Sequence, residues 1–81
     1  DVYKRQTLLY LIGTNKLEKH IGVVQSSLTH SEPVVRETAL WALAQLQPPD
    51  IKRTLTAHAD DSSNDVRRVV DELLSNLAEP V

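Results

Sequence analysis

The chain has 81 residues, 41% of them apolar, a formal net charge of −2 and no cysteine. A chain of this length is one small domain or a piece of a larger one, and it buries only about 60% of its unfolded surface. The composition excludes disulfides and thiolate–metal sites, lacks the basic excess that marks nucleic-acid binders, and holds no apolar run of about 18 residues that could span a membrane.

The N-terminus has no basic-then-apolar signal pattern, and the absence of cysteine fits a cytoplasmic protein with no membrane insertion. Two glycines, no phenylalanine, no alternating β-branched pattern and four prolines at predicted boundaries point to an all-α fold with short connections.

Residues 1–12 form the first predicted helix, ending in Leu8, Leu9, Leu11 and Ile12, with Gly13-Thr14-Asn15 as stop and turn. Its first six residues, Asp1 to Gln6, resemble a translated sequencing adaptor, which implies that they stand outside the native chain. The second predicted helix covers 16–29, with Leu17, Ile21, Val24 and Leu28 on one face. Gly22 lies in its interior, where close packing against a neighbouring helix would justify it.

After the turn Thr29-His30-Ser31-Glu32 comes the most apolar segment. Val35, Ala39, Ala42, Leu43 and Leu46 line one face, flanked by Leu40 and Ala44 on one side and Val34 and Trp41 on the other. A helix this apolar needs neighbours on more than one side. Pro33 suits its first turn, Ser31 or Glu32 its N-cap, and Gln47-Pro48-Pro49 its end. Asp50 caps a fourth helix over 51–59, with Ile51, Leu55 and Ala59 inward. The polar turn Asp60-Asp61-Ser62-Ser63-Asn64 leads to a fifth helix, from Asp65 to Leu77, with Val66, Val69, Val70, Leu73, Leu74 and Leu77 as its stripe.

The chain repeats internally. At an offset of 34, Leu9 falls on Leu43, Ile12 on Leu46 and Ile21 on Leu55. Downstream, Val35-Arg36 falls on Val66-Arg67, Leu43 on Leu74 and Leu46 on Leu77 at an offset of 31. The difference lies between Leu55 and Val66 and makes the fourth helix about one turn shorter than the second. A period in the low thirties with two helices per unit predicts a helical solenoid of antiparallel pairs, an α–α superhelix of about five helices. The units are 16–46 and 50–78, preceded by the helix of an earlier unit.

The string Val35-Arg36-x-x-Ala39-x-x-Ala42-Leu43, following a polar turn and an amphipathic helix, resembles a HEAT repeat of the short bacterial subtype over residues 7–78. The second unit departs from it, with Val70 and Leu73 where small alanines are usual. The resemblance implies that each arginine pairs with an aspartate six positions earlier, forming a polar ladder between units. Asp61 holds that place for Arg67, and His30 holds it for Arg36.

No catalytic constellation is present. His20, His30 and His58 make no i, i+3 or i+4 ligand pair, and there is no glycine-rich phosphate loop. Ser26-Ser27 and Ser62-Ser63 have no placed base, and Asp60, Asp61 and Asp65 suit helix capping better than calcium. No catalytic residue, cofactor or metal site is expected.

Trp41 has two readings. It packs against the preceding helix or a neighbouring unit, or it lies with Leu40 on the concave side, opposite Glu72 and Asp71, and anchors a partner. In the second reading Glu37, Gln45, Arg68 and Glu72 form a polar rim. The resemblance implies a non-enzymatic scaffold binding a protein or peptide and stacking on neighbouring repeats. Alternatives are an accessory domain of an enzyme, as such repeats accompany epoxyqueuosine reductase and form phycobilin lyases, or a regulatory segment of a signalling or membrane protein. The acidic balance argues against transfer RNA unless Lys16, Lys19, Lys52 and Arg53 gather on one edge.

Overall fold

The structure is a computed structural model that describes residues 1–77. The predicted end of the second unit at residue 78, and Pro80, lie outside the described residues. Those residues form five α-helices and no strand: α1 (Val2–Thr14), α2 (Ile21–Ser27), α3 (Pro33–Leu46), α4 (Ile51–Ala57) and α5 (Asn64–Leu77), with a 3-10 turn at Glu18–His20. Helices α1, α3 and α5 contact one another in succession, while α2 packs on α3 and α4 on α5. The result is a slab of two helix layers, 37 × 28 × 16 Å, with the core between them.

The local chemistry explains most boundaries. The Asp1 carboxylate accepts from the Lys4 N–H at 2.9 Å and starts α1. Pro33 occupies the first turn of α3 after Glu32, and Gln47 ends α3 in the left-handed conformation, φ 53°. The Ser63 hydroxyl accepts from Val66 N–H at the start of α5.

Three expectations change. Gly13 does not stop α1; the helix runs through it to Thr14, and Lys16, at φ 51°, turns the chain. Gly13 is instead a packing residue. A Cβ there would lie 2.6 Å from the Trp41 ring and 3.0 Å from the Ala42 Cα, so its absence lets α1 settle against α3. The predicted helix over 16–29 is only half α-helical, because left-handed Lys16 and the 3-10 turn occupy its first part. Gly22 therefore falls in the first turn of α2, and a Cβ there would meet nothing within 4 Å, so close packing does not explain it.

The third change concerns the repeat. Lys16 and Gln47, the two left-handed residues, are 31 positions apart. So are fully buried Val24 and Leu55, and Val35 and Val66. One 31-residue period covers the whole array, and α2 and α4 have the same length, 7 residues. The 34-residue offset and the shortened fourth helix are both withdrawn. Leucines recur so densely near the end of α1 that sliding by one turn preserves an apolar match.

That register explains burial. Leu8 and Leu11 of α1 are 43% and 49% exposed, whereas their equivalents Ala39 and Ala42 in α3, and Val70 and Leu73 in α5, are buried against the preceding helix. Leu9 and Leu40 are fully buried against the following helix, and their equivalent in α5 is the exposed Asp71. Leu77, expected inward, is 40% exposed.

The units are also tied by a polar link, though not with the expected partners. The Arg36 guanidinium bonds both Asp61 carboxylate oxygens, at 2.9 and 3.0 Å, and donates to the His30 and Ser31 carbonyls. Arg67 donates to the Asp61 carbonyl and to the Asn64 side chain. Each arginine thus binds the backbone carbonyl six positions earlier, and the aspartate side chain crosses to the arginine of the preceding unit. The Arg36–Asp61 pair is about one-tenth exposed. The Arg36 hydrogen bond holds the Asp61 carboxyl below its usual range; burial opposes this, and the Ser63 N–H and the Arg36 charge assist it.

Two predictions follow from this packing. Gly13→Ala should lower the melting midpoint, because overpacking costs about 1–3 kcal/mol and exceeds the gain in helix propensity of about 0.5–1 kcal/mol. Gly22→Ala should leave the midpoint unchanged or raise it, and thermal unfolding by circular dichroism distinguishes the two.

Removing either member of the Arg36–Asp61 pair should cost about 1–3 kcal/mol, with non-additive effects in a double-mutant cycle. A depressed carboxyl stabilises the fold above the ordinary carboxylate pKa, and that contribution is lost as pH falls through the lower folded value. Acid titration of the wild type should therefore show a loss of stability below about pH 4 that Asp61→Asn lacks.

Candidate interaction groove

Helix α3 leaves one half-buried line facing α5. It carries Glu37, Trp41 and Gln45 at i, i+4 and i+8, one line along the helix. Facing it, α5 contributes Val69, Glu72, Leu73 and Asn76 at i, i+3, i+4 and i+7. Between these lines runs a groove of about 400 Å³, closed on the α1 side by Tyr10 and Thr38.

Trp41 is half-buried. Its indole stacks on the Tyr10 ring with centroids 5.2 Å apart and planes 13° from parallel, a favourable aromatic geometry. One edge of the ring closes over Gly13. Trp41 packs against the preceding helix, as the first reading has it, and it also lines the groove. The Thr38 hydroxyl is tied back to the Val34 carbonyl at 2.8 Å.

The groove is acidic. Its lining holds two carboxylates, Glu37 and Glu72, and no cation. Among the described residues neither glutamate forms an ion pair. Burial pushes the Glu37 carboxyl above its usual range, the nearby Asp65 charge adds to this, and Arg68 partly offsets it. Arg68 itself is turned to Asp65, 3.3 Å away, in an ion pair that is two-thirds exposed.

Of the residues predicted to meet a partner, the structure brings Glu37, Trp41 and Glu72 together in one groove, with Gln45 beside them. Arg68 stands outside the lining and acts on Glu37 through its charge. Leu40 does not belong to the groove: it is fully buried, because its position faces the next helix and α5 covers it. Sequence reasoning missed Tyr10. The signal was present, since Tyr10, Trp41 and Glu72 are each 31 residues apart, but the 34-residue offset placed Tyr10 elsewhere. Asn76 was missed as a groove residue although it is 31 residues from Gln45.

A second surface is apolar. On the outer side of α1, Leu8 and Leu11 are exposed with no helix covering them among the described residues, and Leu17 is 36% exposed nearby. Among the described residues no three histidine, cysteine or acidic side chains converge to hold a metal, and no helix is long and apolar enough to cross a membrane.

No curated protein and no solved structure matches the chain. A family profile described as HEAT repeats matches residues 1–75, nearly the whole array of helical pairs described above. The chain belongs to the HEAT repeat family.

Proposed function

We propose that this protein is a non-enzymatic helical-repeat scaffold that binds a protein or peptide segment in the groove between α3 and α5. HEAT repeats are generally scaffold-like and commonly mediate protein interactions. The observation that supports the placement is the Tyr10–Trp41 stack, which sets two aromatic rings in the lining of a preformed groove. Such a surface adds contact area at small entropic cost on binding, and tryptophan and tyrosine are enriched among interface hot spots. In a larger enzyme or a regulatory protein the same groove would serve as a docking contact. A salt-dependent affinity for transfer RNA would favour the enzyme-accessory alternative. The proposed location is the cytoplasm.

The outer face of α1 supports a second kind of contact, with a neighbouring repeat. Leu8 and Leu11 occupy the positions that α3 and α5 bury against a preceding helix. Stacking another helical pair there would remove the same type of surface from water.

Peptides selected from a displayed random library against the whole chain should perturb the emission of Trp41, the single tryptophan. Asn76→Arg and Gln45→Arg, which change the rim and leave the core intact, should weaken their binding at least tenfold. Selected peptides that bind equally well to both variants would place the interaction elsewhere. A consensus HEAT helical pair fused ahead of α1 in the 31-residue register should raise the melting midpoint, and Leu8→Lys with Leu11→Lys should remove that gain.

A further inference from the structure

We infer that the segment taken by this groove is basic and enters it with an arginine side chain stacked on Trp41 between Glu37 and Glu72. This inference rests on the peptide-groove reading above and names the chemistry of the partner. Three observations converge on a cation. The lining includes a tryptophan whose ring is held in place on one face by Tyr10, and an indole attracts a planar cation. The two carboxylates lie on opposite walls, Glu37 on α3 one turn before Trp41 and Glu72 on α5. The lining itself holds no cation, and neither carboxylate forms an ion pair among the described residues; Arg68 is bonded to Asp65 and offsets the burial of Glu37 only in part.

The electrostatics favour occupation. Glu37 is partly desolvated and faces the charge of Asp65, so its ionised form is disfavoured in the free protein. A cation placed beside it removes that cost, and a carboxylate that gains an opposite charge binds its proton less tightly. Arginine suits the site better than lysine because its flat guanidinium stacks on an indole and still offers edge donors to carboxylates on both sides. Gln45 and Asn76, equivalent positions one period apart at the end of the groove, provide amides for the backbone of an extended segment.

The test is a titration of the whole chain, read by Trp41 emission and by calorimetry, with a short unstructured glycine–serine peptide that carries several arginines. The same peptide with citrulline, lysine or glutamate in place of arginine completes the set. The arginine peptide should bind saturably, at least tenfold tighter than its citrulline counterpart, more tightly than the lysine peptide, and more weakly as salt is raised. Glu37→Gln with Glu72→Gln should weaken it at least tenfold without lowering the melting midpoint. Glu72→Lys, an exposed charge reversal, should do so alone. Equal binding of the arginine and citrulline peptides, or unchanged binding to the double variant, overturns the inference. If library-selected peptides of neutral or acidic character occupy the groove while the arginine peptide does not, the basic partner falls and the peptide groove stands. If neither the arginine peptide nor any selected peptide reaches Trp41, both readings fall.

Discussion

The structure depends on α3 being enclosed. Helix α1 lies on one side of it, α5 on the other and α2 beneath, so its circumference is apolar almost all round. The cost of exposing so much apolar surface is what makes these neighbours obligatory. The line Glu37–Trp41–Gln45 is among the parts of α3 left half-buried, and it faces α5 across the groove. The closeness of the packing comes from small residues. Gly13 meets Ala42 without a Cβ, and the Trp41 ring folds over the gap, which brings it within reach of Tyr10.

The polar link works at a different level. Apolar packing alone would tolerate sliding of one helical pair past the next, since leucine and valine surfaces are similar from turn to turn. The Arg36–Asp61 pair is bidentate and also tied to the His30 and Ser31 carbonyls, so it has one geometry. It joins the arginine at the start of α3 to the turn before α5, and so fixes the register in which Trp41 and Glu72 share a groove. Such a pair adds modest stability and substantial specificity of arrangement.

The two surfaces of the chain differ in chemistry because they differ in place within the repeat. The outer face of α1 is leucine-rich, since its register positions are core positions elsewhere in the array. The equivalent outward position on α5 is Asp71, where α1 and α3 carry Leu9 and Leu40. The groove combines an aromatic floor with acidic walls and a polar end. The first surface suits another helix; the second suits a shorter segment with a charge of its own.

Much of this was legible in the sequence. Spacing of apolar residues gave five helices, Pro33 and Pro48 gave the ends of α3, and the Val-Arg strings gave the repeat and its family. These features are local or periodic, and a one-dimensional pattern records them. Comparing equivalent positions also set Trp41 opposite Glu72, and the two line one groove. What only the tertiary structure decided depends on which helix lies next to which face. Leu40 and Asp71 occupy equivalent places, yet one is buried and the other exposed, because α3 is followed by α5 whereas among the described residues no helix follows α5. Gly13 reads as a helix stop in the sequence and is a point of contact in the fold, since the need for a missing Cβ is visible only when Trp41 and Ala42 are brought against it. Asp61 reads as the side-chain partner of the nearest arginine, but Arg67 takes its backbone carbonyl while its carboxylate crosses to Arg36, a pairing between units that the local sequence does not record. The choice of one 31-residue register was likewise made by the tertiary structure, where Lys16 and Gln47, Val24 and Leu55, and Val35 and Val66 hold equivalent places.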